Sequence, residues 1–324
     1  MSDYLPRLIE PEIIKQSSVA GCIVIEGPKW CGKSTTAKRF AKTVVELQQK
    51  RVFDKYALLA SSGDEDLLAG EKPLMFDEWQ KLPELWDTIR ATVDVTREKG
   101  KYILTGSAKP KEDRNRHSGI GRMAKVVMRP MSLWESKEST GQVSLSGLFK
   151  GETKIKGDAK LDIRRIAFIT CRGGWPESVL MSDKDALVSA KNYFKLLTED
   201  DITDVDEIKR NPERAKKILK SYARQVSSLA SNRTIQLDVE EGGIDDRTLN
   251  SYINAFKKLF VIEDVLAWSP KLRSKTAIRT SPKRQFVDPS VAAQALGASP
   301  EDLLDDVNTF GLLFESLCTR DLRI

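Results

Sequence analysis

The sequence contains one histidine, His117, and four cysteines, Cys22, Cys31, Cys171 and Cys318, with no C-x-x-C pair among them. That scarcity removes the usual ligand sets of a zinc site and rules out a disulfide framework as the basis of the fold. The thiols read as free and mostly structural, with Cys31 the one whose position leaves it open to oxidation. No apolar run approaches the ~20 residues of a membrane-spanning helix. Residues 1–15 lack the basic stretch followed by an apolar one that marks a secretory signal. The expectation is a cytoplasmic protein with no membrane partner. Internal repeats and low-complexity tracts are also missing.

What is present fits an ordinary globular chain. The 324 residues are enough for two domains, and 40% hydrophobic with 31% charged residues allows a buried core under a well-solvated surface. The net charge of +6 is mild. Its distribution says more: Ser269 to Arg284 holds Lys271, Arg273, Lys275, Arg279, Lys283 and Arg284 and no acid. Such a segment is compatible with nucleic acid, although a basic hairpin is often only a solvated face.

Residues 27–34 read Gly27-Pro28-Lys29-Trp30-Cys31-Gly32-Lys33-Ser34, the phosphate-loop pattern G-x-x-x-x-G-K-[ST]. Gly27 and Gly32 permit the tight path that turns backbone N–H groups inward on phosphates. Lys33 places a point charge against the β- and γ-phosphates, and the Ser34 hydroxyl can ligate Mg²⁺. Cys22 to Glu26 before the loop is the apolar run of a buried parallel strand. The spacing of Ala37, Phe40, Ala41, Val44 and Val45 predicts a helix over Thr35–Gln48, which would put the phosphate at a helix N-terminus. This context makes a chance match of the pattern rarer. The expected ligands are ATP and Mg²⁺, with residues 27–35 as the nucleotide-binding segment.

Residues 20–130 alternate strands and helices, the texture of a three-layer α/β domain with a parallel sheet. Lys72 to Glu78 is an apolar run ending in Asp77-Glu78, the form of a Walker B element: the first carboxylate holds Mg²⁺ and the second polarises the attacking water. Read alone, the pair could equally begin a loop and cap a helix. Helical spacing follows over Leu82–Arg97, then a strand over Tyr102–Leu104 that closes on Gly106-Ser107, and a last strand over Ala124–Met128. Ser107 could contact the γ-phosphate or the water, or simply turn the chain. Arg122 is a candidate arginine finger for a neighbouring subunit's nucleotide, or else a surface arginine; Arg114 and Arg116 compete for the same role.

Residues 136–163 read as a loop or linker. From about Arg164 the pattern is helical, clearest over Ala186–Leu197, Pro212–Leu229 and Asp245–Phe260, the last N-capped by Asp245 or Asp246. A strand over Val261–Trp268, the basic segment and a strand over Arg284–Val287 then suggest a winged-helix-like end. In that arrangement the helix Asp245–Phe260 would enter the DNA major groove and Lys271–Arg284 would contact phosphates, unless the domain serves as a protein-docking lid.

Taken in order, several motifs resemble the bacterial and archaeal AAA-superfamily ATPases in which a P-loop domain precedes a C-terminal domain of unknown function. They are Glu26 to Ser34, Phe76-Asp77-Glu78-Trp79-Gln80, Ile103 to Ser107, Gly121-Arg122, Met128 to Leu133, Gly173 to Glu177, Asp246 to Leu249 and Phe286 to Pro289. The resemblance implies an AAA-type P-loop domain over residues 1–135, a linker over 136–163, and a helical and winged-helix-like region over 164–324. It implies Lys33 and Ser34 on nucleotide and Mg²⁺, Asp77 and Glu78 as Walker B, Ser107 as sensor and Arg122 as the finger. Relatives continue into a nuclease-like region, so the resemblance also implies a chain truncated at Ile324, and no nuclease activity follows. The expected function is an ATPase that couples nucleotide state to movement of its C-terminal region. The alternative is a nucleotide-gated DNA-binding or protein-interaction module with negligible hydrolysis. A small-molecule phosphotransferase fits less well, because such enzymes usually lack the paired Asp-Glu and the long helical half.

Overall fold

Apolar, β-branched runs form one five-stranded parallel sheet in the computed structural model, which describes residues 4–107, 118–153, 155–206, 208–239 and 243–324. The strands are β1 (Cys22–Glu26), β2 (Thr43–Glu46), β3 (Leu74–Asp77), β4 (Tyr102–Gly106) and β5 (Met123–Val127), in the order β2-β3-β4-β1-β5. β1, β3 and β4 are buried along their whole length, so their sequences run apolar without alternation. The register aligns Glu26 with Gly106, Asp77 with Thr105, and Glu46 with Asp77. The loops leaving β1, β2, β3 and β4 therefore emerge at one edge of the sheet, the edge where parallel α/β sheets place ligands.

Helices flank this sheet. Glu84–Thr96 buries Leu85, Trp86, Ile89 and Val93, matching the spacing in the sequence, and Trp86 stacks on Trp79 at 5.3 Å. The stretch Thr35–Gln48 departs from expectation. Its helix is short, Lys33–Lys38, and residues 43–46 form β2 instead. Thr43-Val44-Val45 is a β-branched run, stiff at χ1 and better suited to a pleated edge than to a helix interior. Arg114, Arg116 and His117 lie outside the described residues.

The chain divides into two units, residues 7–129 with 258–260, and residues 1–6, 130–257 and 261–324. The second unit is helical. Asp162, Ser182 and Asn211 cap the helices Ile163–Arg172, Asp183–Leu196 and Pro212–Arg224. Asp245 caps Asp246–Lys258, accepting from the Thr248 N–H at 2.9 Å. The stretch 136–163 is irregular apart from one short helix, Leu145–Phe149, within the residues described there. Among the described residues, no helix is long and apolar enough to cross a membrane.

At the centre of the second unit lies a buried polar knot. Asp288 accepts from the Gly174 N–H at 2.9 Å, from Arg320 at 2.8 Å and from the Ser290 N–H and hydroxyl at 2.9 and 2.6 Å. Arg320 also donates to Asp321. Burial works against the Arg320 charge, but Asp288 and Asp321 outweigh it and hold the guanidinium above its usual range. A Cβ on Gly174 would lie 2.2 Å from the Met131 carbonyl oxygen, which explains the glycine. The Gly173-Gly174-Trp175 and Asp288-Pro289 motifs are thus two sides of one packing device.

The expected strands Val261–Trp268 and Arg284–Val287 reduce to two antiparallel bridges, Ile262 with Phe286 and Val265 with Lys283. Between them the basic segment contains a short helix, Lys275–Arg279.

Candidate functional site

The loop after β1 is held in the conformation its glycines allow. Gly27 and Gly32 have φ of 153° and 93°, and a Cβ on Gly27 would lie 2.1 Å from the Met128 carbonyl oxygen. Trp30 also lies in the left-handed region, at φ 70°, with its side chain exposed at the loop tip beside Lys29. Cys31 is fully buried, its thiol 3.4 Å from the Met128 carbonyl, which removes the solvent access an oxidation-sensitive thiol needs.

Lys33 is only 6% exposed, and its ammonium donates to the Pro28 carbonyl at 2.7 Å. Among the described residues no carboxylate pairs with it. A buried charge is ordinarily matched by an opposite one, so this ammonium is set to meet an anion. The helix that follows, Lys33–Lys38, has only six residues, so it offers little of a helix terminus of its own. Thr35 sits exposed within that helix.

Ser34 and Asp77 meet beside it. The Ser34 hydroxyl donates to Asp77 Oδ1 at 2.7 Å, Thr105 donates to the same oxygen at 2.5 Å, and Gln48 donates to Oδ2 at 3.2 Å. A hydroxyl and a carboxylate are hard oxygen donors, the kind Mg²⁺ takes one or two of while keeping phosphate and water ligands. No cluster of three or more His, Cys, Asp or Glu side chains suited to a metal occurs among the described residues. The donor set fits Mg²⁺, for which Ser34 and Asp77 would supply oxygen ligands.

Glu78 adopts a left-handed backbone, φ 57° and ψ 46°, uncommon for a residue with a side chain and typical of strained functional positions. Trp79, 1% exposed, anchors the next position in the core. The turned carboxylate accepts from the Ser107 hydroxyl at 3.2 Å and from the Gln80 amide. Structure therefore brings together Lys33, Ser34, Asp77, Glu78 and Ser107 at one edge of the sheet.

Arg122 is elsewhere. It precedes β5, whose first residue pairs with Cys22 at the start of β1, so it sits at the opposite edge. Five residues of strand separate it from the loop, about 16 Å. There it pairs with Asp94 and donates to the Ile120 carbonyl.

Sequence reasoning missed Thr105, Gln48 and Gln80 as partners of the two carboxylates. Thr105 and Gln80 stand inside motifs already singled out, next to residues given roles. Gln48 was hidden by the helical reading of Thr35–Gln48. In the basic segment, Arg284 is buried, donating to the Ala230 carbonyl at 2.9 Å and to Asn232 at 2.7 Å, and Lys283 pairs with Glu315. Lys271, Arg273, Lys275 and Arg279 are exposed.

Residues 20–137 match the family model of an AAA domain, and residues 163–302 match a domain of unknown function (DUF8612). The chain thus carries an AAA domain followed by a C-terminal domain of unknown function. Its fold is similar to that of a Walker-type ATPase of Pyrococcus abyssi, at 16% identity and a TM-score of 0.52, covering 90% of this chain and 96% of that one. A second solved structure is a Signal Transduction ATPase with Numerous Domains protein with a tetratricopeptide repeat sensor, from Pyrococcus horikoshii. It aligns at 15% identity over 99% of this chain and 48% of that one, with a TM-score of 0.33, too low to bear on the fold. No curated protein matches the chain.

Proposed function

We propose that this protein is a Mg²⁺-dependent ATPase whose nucleotide state drives movement of its helical, winged-helix-like C-terminal region. The observation that carries the reading is the buried Lys33 ammonium, without a carboxylate partner among the described residues, at the edge where both Walker carboxylates emerge. In this reading residues 27–35 wrap the phosphates, with Lys33 against the terminal ones. Ser34 and Asp77 would hold Mg²⁺, which when bound neutralises charge on the phosphates. Glu78 orients and deprotonates the attacking water, and Ser107 keeps that carboxylate aimed. Arg122, at the far edge of its own sheet, could act as a finger only on a neighbouring chain's nucleotide, in a homo-oligomer; Arg114 and Arg116 are candidates for the same part.

A second reading, a nucleotide-gated DNA-binding module, draws on the four exposed cations Lys271, Arg273, Lys275 and Arg279 and on the helix Asp246–Lys258. Arg284 is buried and Lys283 is tied to Glu315 in a partly exposed ion pair, so about four phosphate contacts remain. Binding to duplex DNA should then fall with log salt with a slope of about −3 to −4. A shift that is absent or insensitive to salt would reject this reading.

ATP turnover with and without duplex DNA, across protein concentrations, tests both. The ATPase reading expects Mg²⁺-dependent phosphate release, rising per chain with concentration if a neighbour completes the site. No Mg²⁺-dependent release under any of these conditions would overturn it.

A further inference from the structure

We propose that Arg7 is a positioning residue of the phosphate loop, fixing the Cys31–Gly32 peptide so that the Gly32 N–H faces the bound phosphates. The inference rests on the nucleotide-binding reading above and assigns a residue outside the matched AAA domain, which begins at residue 20. Arg7 is 5% exposed. Its guanidinium donates to the Cys31 carbonyl at 2.7 Å and to the Arg129 carbonyl at 2.6 Å, joining the loop after β1 to the chain leaving β5. Arg7 is itself held: its N–H donates to the Glu10 carboxylate at 2.9 Å, at the start of the helix Glu10–Ser17, whose Ile13 is fully buried.

The physical link is peptide planarity. In a trans peptide the C=O and the following N–H point in opposite directions. A guanidinium that holds the Cys31 carbonyl on the outside of the loop therefore holds the Gly32 N–H on the inside. That N–H has no acceptor among the described residues. Gly32 sits at φ 93°, a conformation that glycine enters and leaves without steric cost, so the peptide needs an external restraint to stay turned. The neighbouring thiol, packed on the Met128 carbonyl, restrains the Cys31 side chain but not this peptide plane. A lysine at position 7 would supply charge but not a planar fork that reaches two carbonyls at once.

The test compares wild type, Arg7→Lys and Arg7→Gln, each shown folded by circular dichroism at the working temperature. Calorimetry then gives affinities for Mg-ATP and for Mg-pyrophosphate. Both variants should lose about tenfold or more in affinity for both ligands alike, because the lost element reads phosphate and not base. A merely structural Arg7 would lower the melting temperature and leave both affinities unchanged while the protein is folded. Affinities within twofold of wild type for the folded Arg7→Lys protein would overturn the proposal. A wild-type protein that binds neither ligand would overturn the nucleotide reading together with it, which separates the two failures.

Discussion

Lys33→Met should abolish nucleotide binding while leaving the ligand-free protein as stable as wild type or more so. The two halves of this result have opposite signs and one cause. In the ligand-free chain Lys33 is a buried ammonium whose partner is the neutral Pro28 carbonyl. Holding a charge there costs free energy that only an anion recovers. Methionine fills a similar volume without charge, so the substitution removes that cost. In the proposed function, binding then loses the cation set against the terminal phosphates, a partly desolvated charge pair worth at least about 3 kcal/mol, or a hundredfold or more in Kd. Calorimetry with Mg-ATP and a thermal melt without ligand check the two halves. Binding within threefold of wild type would show that the ammonium is not aimed at phosphate.

Arg320→Met should destabilise the C-terminal unit by about 3–5 kcal/mol, a fall in Tm on the order of 10 °C. The reason is what remains behind. Asp288 is fully buried, and without Arg320 its carboxylate keeps, among the described residues, the Gly174 N–H and the Ser290 groups as donors. Asp288→Asn in the same background should recover part of the loss, because it removes the stranded charge. Magnitude separates this pair from superficial ones: the partly exposed Lys101–Glu98 pair, at 3.0 Å, should cost less than about 1 kcal/mol on removal. Denaturant unfolding of Arg320→Met, the double variant and Lys101→Ala makes the comparison. A loss below about 1 kcal/mol for Arg320→Met would contradict the packing account.

The site was legible where local spacing and strand position coincide. Gly27 to Ser34 and Asp77-Glu78 each follow a buried apolar run, and a parallel register delivers both to the same edge. The legible part ends where a contact depends on distant chain. Nothing in the sequence around Arg7 announces a contact with a carbonyl 24 residues on. The helix read over Thr35–Gln48 failed because Ala37, Val44 and Val45 satisfy a helical period while Thr43-Val44-Val45 also prefers a strand, and the free edge of β3 decides between them. In the basic segment, six positive residues counted equally in the sequence, but Tyr222, Asp264 and Asn232 surround Arg284 and take its charge inside. Net charge was visible; its availability was not.

In the proposed function, Glu78 activates water on a nucleotide held by Lys33 and Ser34. Single-turnover phosphate release at saturating Mg-ATP, wild type against Glu78→Gln, tests it most directly. The amide keeps the shape of the carboxylate and the Ser107 contact but cannot take a proton. The account predicts Mg-ATP binding within about threefold of wild type and phosphate release slower by about a hundredfold or more. Equal release rates in the two proteins would contradict it.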